Sequence, residues 1–498
     1  MKQVLALDLG ASNGRAILGK YDGEKLYLQE IHRFENIPIE EENTLYWDIE
    51  ALFFEIKNSL RLAAHISHLD SVGIDTWGVD FGLLDSAGNL LARPVHYRDR
   101  RTEGMSKKAE KILTKEKLYQ LTGNQILDIN TLFQLMSLKE RNVKQFEQIN
   151  KLLLMPDLFN YLLTNTAKTE ITIASTTQLF DPYKKKWSKE ILNTFHIPES
   201  MMGELVEPGA TIGNITPVLA EELGIAEIPV IAVGSHDTAS AIASVPCNEE
   251  FLFISSGTWS LIGTEIKQPI INETSLYYNI TNESSADKTT SLLKNIAGLW
   301  MIQETKRQFE REGRIYSYSE LAEIAQHAKP FNCYLDTDYL EFQHPGNIPK
   351  RIRQYAAATD QYVPNTDAEI VRVIYESLAL KYRLVIEEIQ EVIGKEYSIV
   401  NIVGGGAQAE ILCQMTANAV GKKVIAGPAE ATAIGNIIVQ LIGSGAIQDL
   451  QQAREIVKSS FRLVEYQPKD EQLWKQHYEI YCHLLKVGRL HPEQRSKF

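Results

Sequence analysis

Two distant stretches of this chain are written to one plan. Residues 4–19, VLALDLGASNGRAILG, give an apolar strand run, a turn of small residues and a second apolar strand, and residues 250–266, EFLFISSGTWSLIGTEI, repeat that order around Gly257 and Thr258. A supersecondary unit stated twice is the mark of internal duplication. The expectation is an α/β chain whose two halves share one architecture.

Composition narrows the function classes. The 498 residues are 44% hydrophobic and 23% charged, as in ordinary folded proteins, and at roughly 150 residues per domain they suggest about two to four structural units. Fifty-one Lys and Arg against 64 Asp and Glu leave a net charge of −13, with no basic concentration of the kind a nucleic-acid partner requires. A small anion such as a nucleotide remains bindable, because backbone N–H groups and a metal ion can supply positive potential locally. Cys247, Cys333, Cys413 and Cys482 are too scattered for a disulfide framework or a zinc site, and reduced thiols are expected. No apolar run reaches the ~18 residues of a membrane span, and Asp8 interrupts the first one, so neither signal peptide nor anchor is expected. The chain is therefore expected to be cytoplasmic, with small-molecule partners only, as a monomer or homodimer.

The pattern along the chain places the motifs. Asp48 is positioned to cap a helix over 49–66, and SVGIDTWGVDFGLLD at 71–85 reads as strand, turn, strand. Helical periodicity then dominates to about residue 165. A buried strand is expected in 223–234, leading into a helix that starts near Ser235 and Asp237. The second half brings a long amphipathic helix over 367–393, strand, Gly-rich turn and helix over 397–421, and a further strand-to-helix step over 422–436. The domain boundary is placed near 245, giving domains 1–245 and 246–455 and a helical tail at 456–498.

Four glycine-bearing turns follow predicted strands: Gly10 to Gly14, Gly257 with Thr258, Gly404 to Gly406, and Gly427 with Pro428. Such turns let a polyphosphate approach main-chain N–H groups with no Cβ in the way. Neither G-x-x-x-x-G-K-[ST] nor a strand-borne G-x-G-x-x-G is present, which removes the P-loop and the Rossmann dinucleotide site. Gly10 to Gly14 matches G-x-S-x-G, yet a nucleophile elbow runs from strand to helix and a second strand follows here, which argues against a serine hydrolase. Carboxylates mark strand ends at Asp8 and Asp75, with Asp80 in the next strand. Asp237 ranks highest among them, since a helix N-terminus is expected to hold it ionised and a positioned carboxylate can take a hydroxyl proton during phosphoryl transfer. His236 beside it gains interest by adjacency. Trp77, Trp259 and Trp300 offer sugar-stacking faces, although core packing is the commoner use of tryptophan.

Together DLGASNGR at 8–15, GIDTWGVDFGLLD at 73–85, GSHDTASA at 234–241, SSGTWSL at 255–261, NITNE at 279–283, KNIAGLW at 294–300, VGGGAQ at 403–408 and IAGPAEATAIGN at 425–436 resemble the FGGY carbohydrate kinases, the L-rhamnulose kinases among them most closely. The resemblance implies an actin-like ATPase fold, two ribonuclease-H-like domains with an interdomain cleft, and ATP-dependent phosphorylation of the 1-hydroxyl of L-rhamnulose. It further implies that Ala11, Ser12, Asn13, Gly14 and Arg15 face the ATP phosphates and that Asp8 organises hydrated Mg²⁺. Thr258, Gln303 and Gly405 would complete the nucleotide side. Gly78, His236, Asp237, Thr238 and Asn295 would form the sugar site, with Asp237 as the base. Related kinases of L-fuculose, L-xylulose or L-ribulose share the ATP machinery, so another ketose is an alternative, as is a sugar-responsive binding protein without activity.

Overall fold

Alternation along the first strand sets the layering. In the computed structural model, which describes residues 1–490 and side chains to residue 486, Lys2–Leu9 (β1), Asn13–Tyr21 (β2), Leu26–Glu35 (β3), Ser71–Thr76 (β4), Thr211–Asn214 (β5) and Pro229–Ile231 (β6) form one sheet. Its order is β5-β6-β4-β1-β2-β3. Successive side chains of a strand point to opposite faces. Leu5, Leu7 and Leu9 accordingly pack with Leu52, Ile56 and Leu60 of the helix Ile49–Ile66. Val4, Ala6 and Ile17 pack on the other side with Ile434, Ile437 and Leu441 of the helix Ala431–Gly443. Helices on both faces explain why β1 reads as a nearly unbroken apolar run. Each fully buried aliphatic side chain is worth roughly 1.5–3 kcal/mol over exposure, enough for these layers to dominate local preference.

Helix ends follow the capping chemistry. Asp48 accepts a hydrogen bond from the Ala51 N–H at 3.0 Å and starts the helix at Ile49, as expected. The helix Asp367–Ile393 opens on a capping box of Thr366 and Glu369 and stops at Gly394, whose φ of 71° is left-handed.

The chain divides into two units. The first holds Met1–Glu249, Glu265–Leu293 and Glu430–Phe461, so it gathers three separate runs of sequence; the second holds Glu250–Thr264, Lys294–Ala429 and the chain from Arg462 on. The second is built on Leu252–Ser256 (β7), Trp259–Ile266 (β8), Ile399–Val403 (β9), Lys423–Ala426 (β10) and Val464–Tyr466 (β11), ordered β8-β7-β9-β10-β11. Here β7 pairs antiparallel with β8 and parallel with β9, just as β1 pairs antiparallel with β2 and parallel with β4. The repeated pattern is thus one antiparallel strand pair with a parallel neighbour in each unit.

The second strand of 71–85 forms as expected, at Phe81–Leu84, and pairs with Lys151–Leu154 after a turn in which Val79 stands at φ 68°. Two local expectations change. The strand expected in 223–234 is only Pro229–Ile231. The segment after 455, expected to be wholly helical, includes β11 as a three-residue edge strand on β10, too short for an alternating pattern to show.

Candidate active site

Strand register brings the first charged groups together. The parallel pairing of β1 with β4 sets Asp8 beside Asp75, and the antiparallel pairing of β1 with β2 sets Asp8 beside Arg15. After β6 the chain runs along β4, where the Thr76 N–H donates to the Ser235 carbonyl at 2.9 Å, and then enters the helix Asp237–Ala243. Asp8, Asp75 and Asp237 therefore collect at the carboxyl ends of neighbouring parallel strands, where open α/β sheets bind ligands.

The Gly10–Asn13 turn is closed by the Gly10 N–H donating to the Asn13 carbonyl at 2.9 Å. Ala11 is half-buried, Ser12 and Asn13 are exposed, and Gly14 is buried where a Cβ would lie 2.3 Å from the Phe34 ring. Because the turn joins two antiparallel strands, Ser12 does not sit on a nucleophile elbow. The Arg15 guanidinium bonds Asp8 at 2.5 Å and also Glu430. Burial opposes its charge, but Asp8 and Glu430 more than offset burial and push its pKa up.

Asp75 is buried, and burial, reinforced by the charges of Asp8 and Asp237, pushes its pKa well above the carboxylate range. Its Oδ2 accepts from Asn436 Nδ2 at 2.6 Å, and that amide also donates to the Gly73 carbonyl at 3.1 Å. Its buried Oδ1 has no hydrogen-bond partner among the described residues. Asp237 keeps a third of its side chain exposed. Desolvation by the surrounding protein raises its pKa, with Asp8 adding, against the opposing effects of His236 and the Thr238 hydroxyl, so burial works against the ionising pull expected of the helix N-terminus. A base moved toward neutrality suits proton transfer.

His236 is buried with Nδ1 3.2 Å from Glu283 and Nε2 3.5 Å from Asp237. Burial lowers its pKa, but the Glu283 hydrogen bond and the nearby carboxylates win and raise it. Its backbone N–H donates to Thr172 Oγ1 at 3.2 Å, and the Ser235 N–H donates to Glu170 at 3.2 Å. Glu170 also accepts from Thr172 N–H and Oγ1–H and from Ile173 N–H, while burial holds its carboxyl at about 7. Gly78 follows β4 and lies against Thr176, whose hydroxyl would be 3.2 Å from an added Cβ. Trp77 is core: it packs 3.9 Å from Trp47, and both indoles donate to Asp80. The N–H of Trp300 is likewise spent, on the Phe342 carbonyl at 3.0 Å.

The remaining expected residues lie in the second unit. Thr258 follows β7 and donates to Gln303 Oε1 at 3.2 Å, so these two are brought together. The turn of Thr258 also receives the Gly298 and Trp300 N–H groups on its carbonyl. Gly405 is exposed in the turn after β9, between Gly404 at φ 81° and Gly406, where a Cβ would strike Ser256. Asn295 is half-buried on the strand Thr290–Ala297.

Sequence reasoning assigned no role to Glu170, Glu283, Glu430 or Asn436. The last three lie inside or at the edge of quoted motifs, NITNE and IAGPAEATAIGN, so the signal existed but pointed to no chemistry. Among the described residues no three His, Cys, Asp or Glu form a direct metal cage. Mg²⁺ commonly keeps its waters and takes only one or two carboxylates with phosphate oxygens. Asp8 with the unpartnered Oδ1 of Asp75 fits such an ion.

Comparison with known proteins agrees along nearly the whole chain. The profile of the FGGY family of carbohydrate kinases matches as its N-terminal domain over residues 3–243 and as its C-terminal domain over residues 252–444. The chain is 42% identical over 463 residues to a rhamnulokinase of Oceanobacillus iheyensis, covering 93% of this chain and 97% of that one. It is 40% identical over 481 residues to a rhamnulokinase of Bacteroides thetaiotaomicron, covering 96% and 98%. Among solved structures, a ligand-bound xylulose kinase from Lactobacillus acidophilus superposes with a TM-score of 0.81 at 16% identity, covering 100% of both chains. That likeness shows the expected actin-like ATPase fold.

Proposed function

Because the chain belongs to the FGGY family of carbohydrate kinases, we propose that it transfers the γ-phosphoryl group of ATP to the 1-hydroxyl of L-rhamnulose, giving L-rhamnulose 1-phosphate and ADP. The observation that carries the choice of sugar is the likeness to two rhamnulokinases over more than nine tenths of the chain. In this reading Asp237 accepts the proton of the 1-hydroxyl as that oxygen bonds to the γ-phosphorus and the bond to the β,γ-bridging oxygen breaks. Gly78, His236, Thr238 and Asn295 orient the sugar. Residues 11–15 meet the phosphates, with Arg15 supplying fixed positive charge, and Thr258, Gln303 and Gly405 hold the nucleotide. Asp8, with Asp75, would hold hydrated Mg²⁺, which neutralises charge on the transferring phosphates. Much of the catalysis of phosphoryl transfer is positioning and charge stabilisation. Residues 1–245 accordingly supply the base, the first phosphate turn and, apart from Asn295, the sugar site, and 246–455 supply Asn295 and the nucleotide side. Four unpaired cysteines support a reducing, cytoplasmic setting.

Coupled ADP release with Mg-ATP tests this, comparing L-rhamnulose with L-fuculose, L-xylulose, L-ribulose and glycerol. L-Rhamnulose is expected to give the fastest release, and Asp237→Asn to cut it by at least ~10² while leaving ATP binding nearly intact. Faster release with another ketose would reassign the substrate; near-normal turnover of the variant would remove Asp237 from the role of base; and no sugar-dependent release would leave a binding protein.

A further inference from the structure

NITNE at 279–283 has no part in the proposed chemistry. Its residues sit on and just before the strand Thr281–Ser284, which pairs with Thr290–Leu293 in the first unit. The motif is anchored at several points. The Asn279 side chain accepts from the Ile126 N–H at 3.0 Å, and Asn282 accepts from the Ile270 N–H at 2.8 Å while donating to the Ile270 carbonyl at 3.1 Å. The Ser284 N–H donates to Ser175 Oγ at 2.9 Å. These bonds fix the strand that carries Glu283, a carboxylate only 7% exposed that faces His236 Nδ1.

The imidazole thus lies between two carboxylates, Glu283 at Nδ1 and Asp237 at Nε2. A neutral ring has one N–H, so one of its nitrogens would turn a lone pair toward a carboxylate. Resting on the assignment of Asp237 as base, we propose that Glu283 is a positioning residue for the reaction: it accepts a hydrogen bond from His236 Nδ1–H, keeps the ring doubly protonated, and so presents Nε2–H at Oδ1 of Asp237. The cation beside Asp237 opposes the burial and the Asp8 charge that favour its protonation. It also occupies one carboxylate oxygen, leaving the other for the substrate proton. The charged groups facing His236 are Glu283 from the strand, Asp237 from its own helix and Glu170 from the end of the strand Lys168–Glu170, where it caps the helix Ile171–Ala174. Asp237 in turn feels Asp8, which Arg15 bonds, and interacts with Asp75.

The test uses the full chain with Glu283→Gln, which removes the charge, and Glu283→Asp, which retains it. In ¹⁵N-histidine spectra, with His236 assigned by its loss in His236→Gln, the wild-type ring should hold both protons to a pH above the ordinary histidine range. It should lose one at lower pH in Glu283→Gln, with partial recovery in Glu283→Asp. Sugar-dependent kcat should fall roughly 10- to 100-fold in Glu283→Gln, the usual size of effect for a supporting group behind a functional one. The acid limb of the kcat–pH profile should move to higher pH with KM for ATP unchanged. A singly protonated wild-type ring, or a Glu283→Gln profile that superposes on wild type, would overturn the inference. If wild type releases no ADP with any sugar, the proposed function falls while the ring titration still decides the histidine–glutamate pairing.

Discussion

Replacing Gly435 by alanine sets two opposed magnitudes against each other. In the interior of the helix Ala431–Gly443 alanine is favoured over glycine by ~1 kcal/mol on propensity alone. At this position, however, a Cβ would lie 1.7 Å from the Ser240 carbonyl oxygen, 2.4 Å from its carbon and 2.9 Å from its Cα. All three are backbone atoms of the helix Asp237–Ala243 and cannot swing aside. A carbon tolerates a carbonyl oxygen at roughly 3.3 Å, so the two helices would have to part by about 1.5 Å. Overpacking on this scale belongs at or above the upper end of the usual ~1–3 kcal/mol. The net is a loss of about 2 kcal/mol, which for a unit of this size, at ~2.1 cal/mol/K of unfolding entropy per residue, lowers Tm by roughly 3 °C. The displaced helix begins with Asp237, and a misplacement of ~1 Å at a reacting group can cost ~10²-fold in rate. Differential scanning calorimetry with coupled ADP release reads both effects. An unchanged or higher Tm with unaltered kcat would show that propensity wins and that the helix contact is slack.

Two further outcomes follow from buried groups. Asp80 accepts from Gln134, Trp47 and Trp77, yet burial holds its carboxyl at about 6 against an ordinary 3.8. Its folded-state pKa is raised, so its contribution to stability is intact below about pH 4 and lost as pH rises through about 6, some ~3 kcal/mol at ~1.4 kcal/mol per pH unit. Urea unfolding of wild type and Asp80→Asn near pH 4 and near pH 7 should reveal that difference, whereas parallel stabilities would show an unperturbed carboxylate. Cys333 and Cys413 are buried with thiols pushed up to about 12, while Cys247 and Cys482 are half-buried. A disulfide reagent should modify at most the latter pair in native protein and all four cysteines in denaturant; fewer than four in non-reducing denaturant would mean that a pair is oxidised.

What the sequence made legible were features carried by short-range rules. The duplicated strand pairs, the Asp48 cap and the limits of the helix Asp367–Ile393 all follow from periodicity and capping within a few residues. Asp8 and Asp75 stand out as carboxylates at the ends of predicted strands, and Asp237 as one in the first turn of a predicted helix beside His236. The partners of these groups were hidden for a physical reason. Asn436 reaches Asp75 across 361 residues of chain, and no local pattern marks an amide destined for a buried carboxylate. Glu283 carries no local mark in the sequence, and only the fold sets it 3.2 Å from His236. The desolvation of Asp237 was out of reach for the same reason, since a helix N-terminus is visible in sequence and burial by distant segments is not.

The three-part make-up of the first unit has a consequence for biosynthesis. Its central strands are made early, but the helix that covers Val4, Ala6 and Ile17, and brings Asn436 to Asp75, belongs to the Glu430–Phe461 segment. At ~5–20 residues per second, roughly 200 residues of later chain take about 10–40 s to emerge from a ribosome. For that interval one apolar face of the nascent sheet lacks its own cover and a buried carboxyl lacks its amide. The unit that starts first during translation is therefore among the last to close, and the cell must keep that face from sticking while the chain is finished.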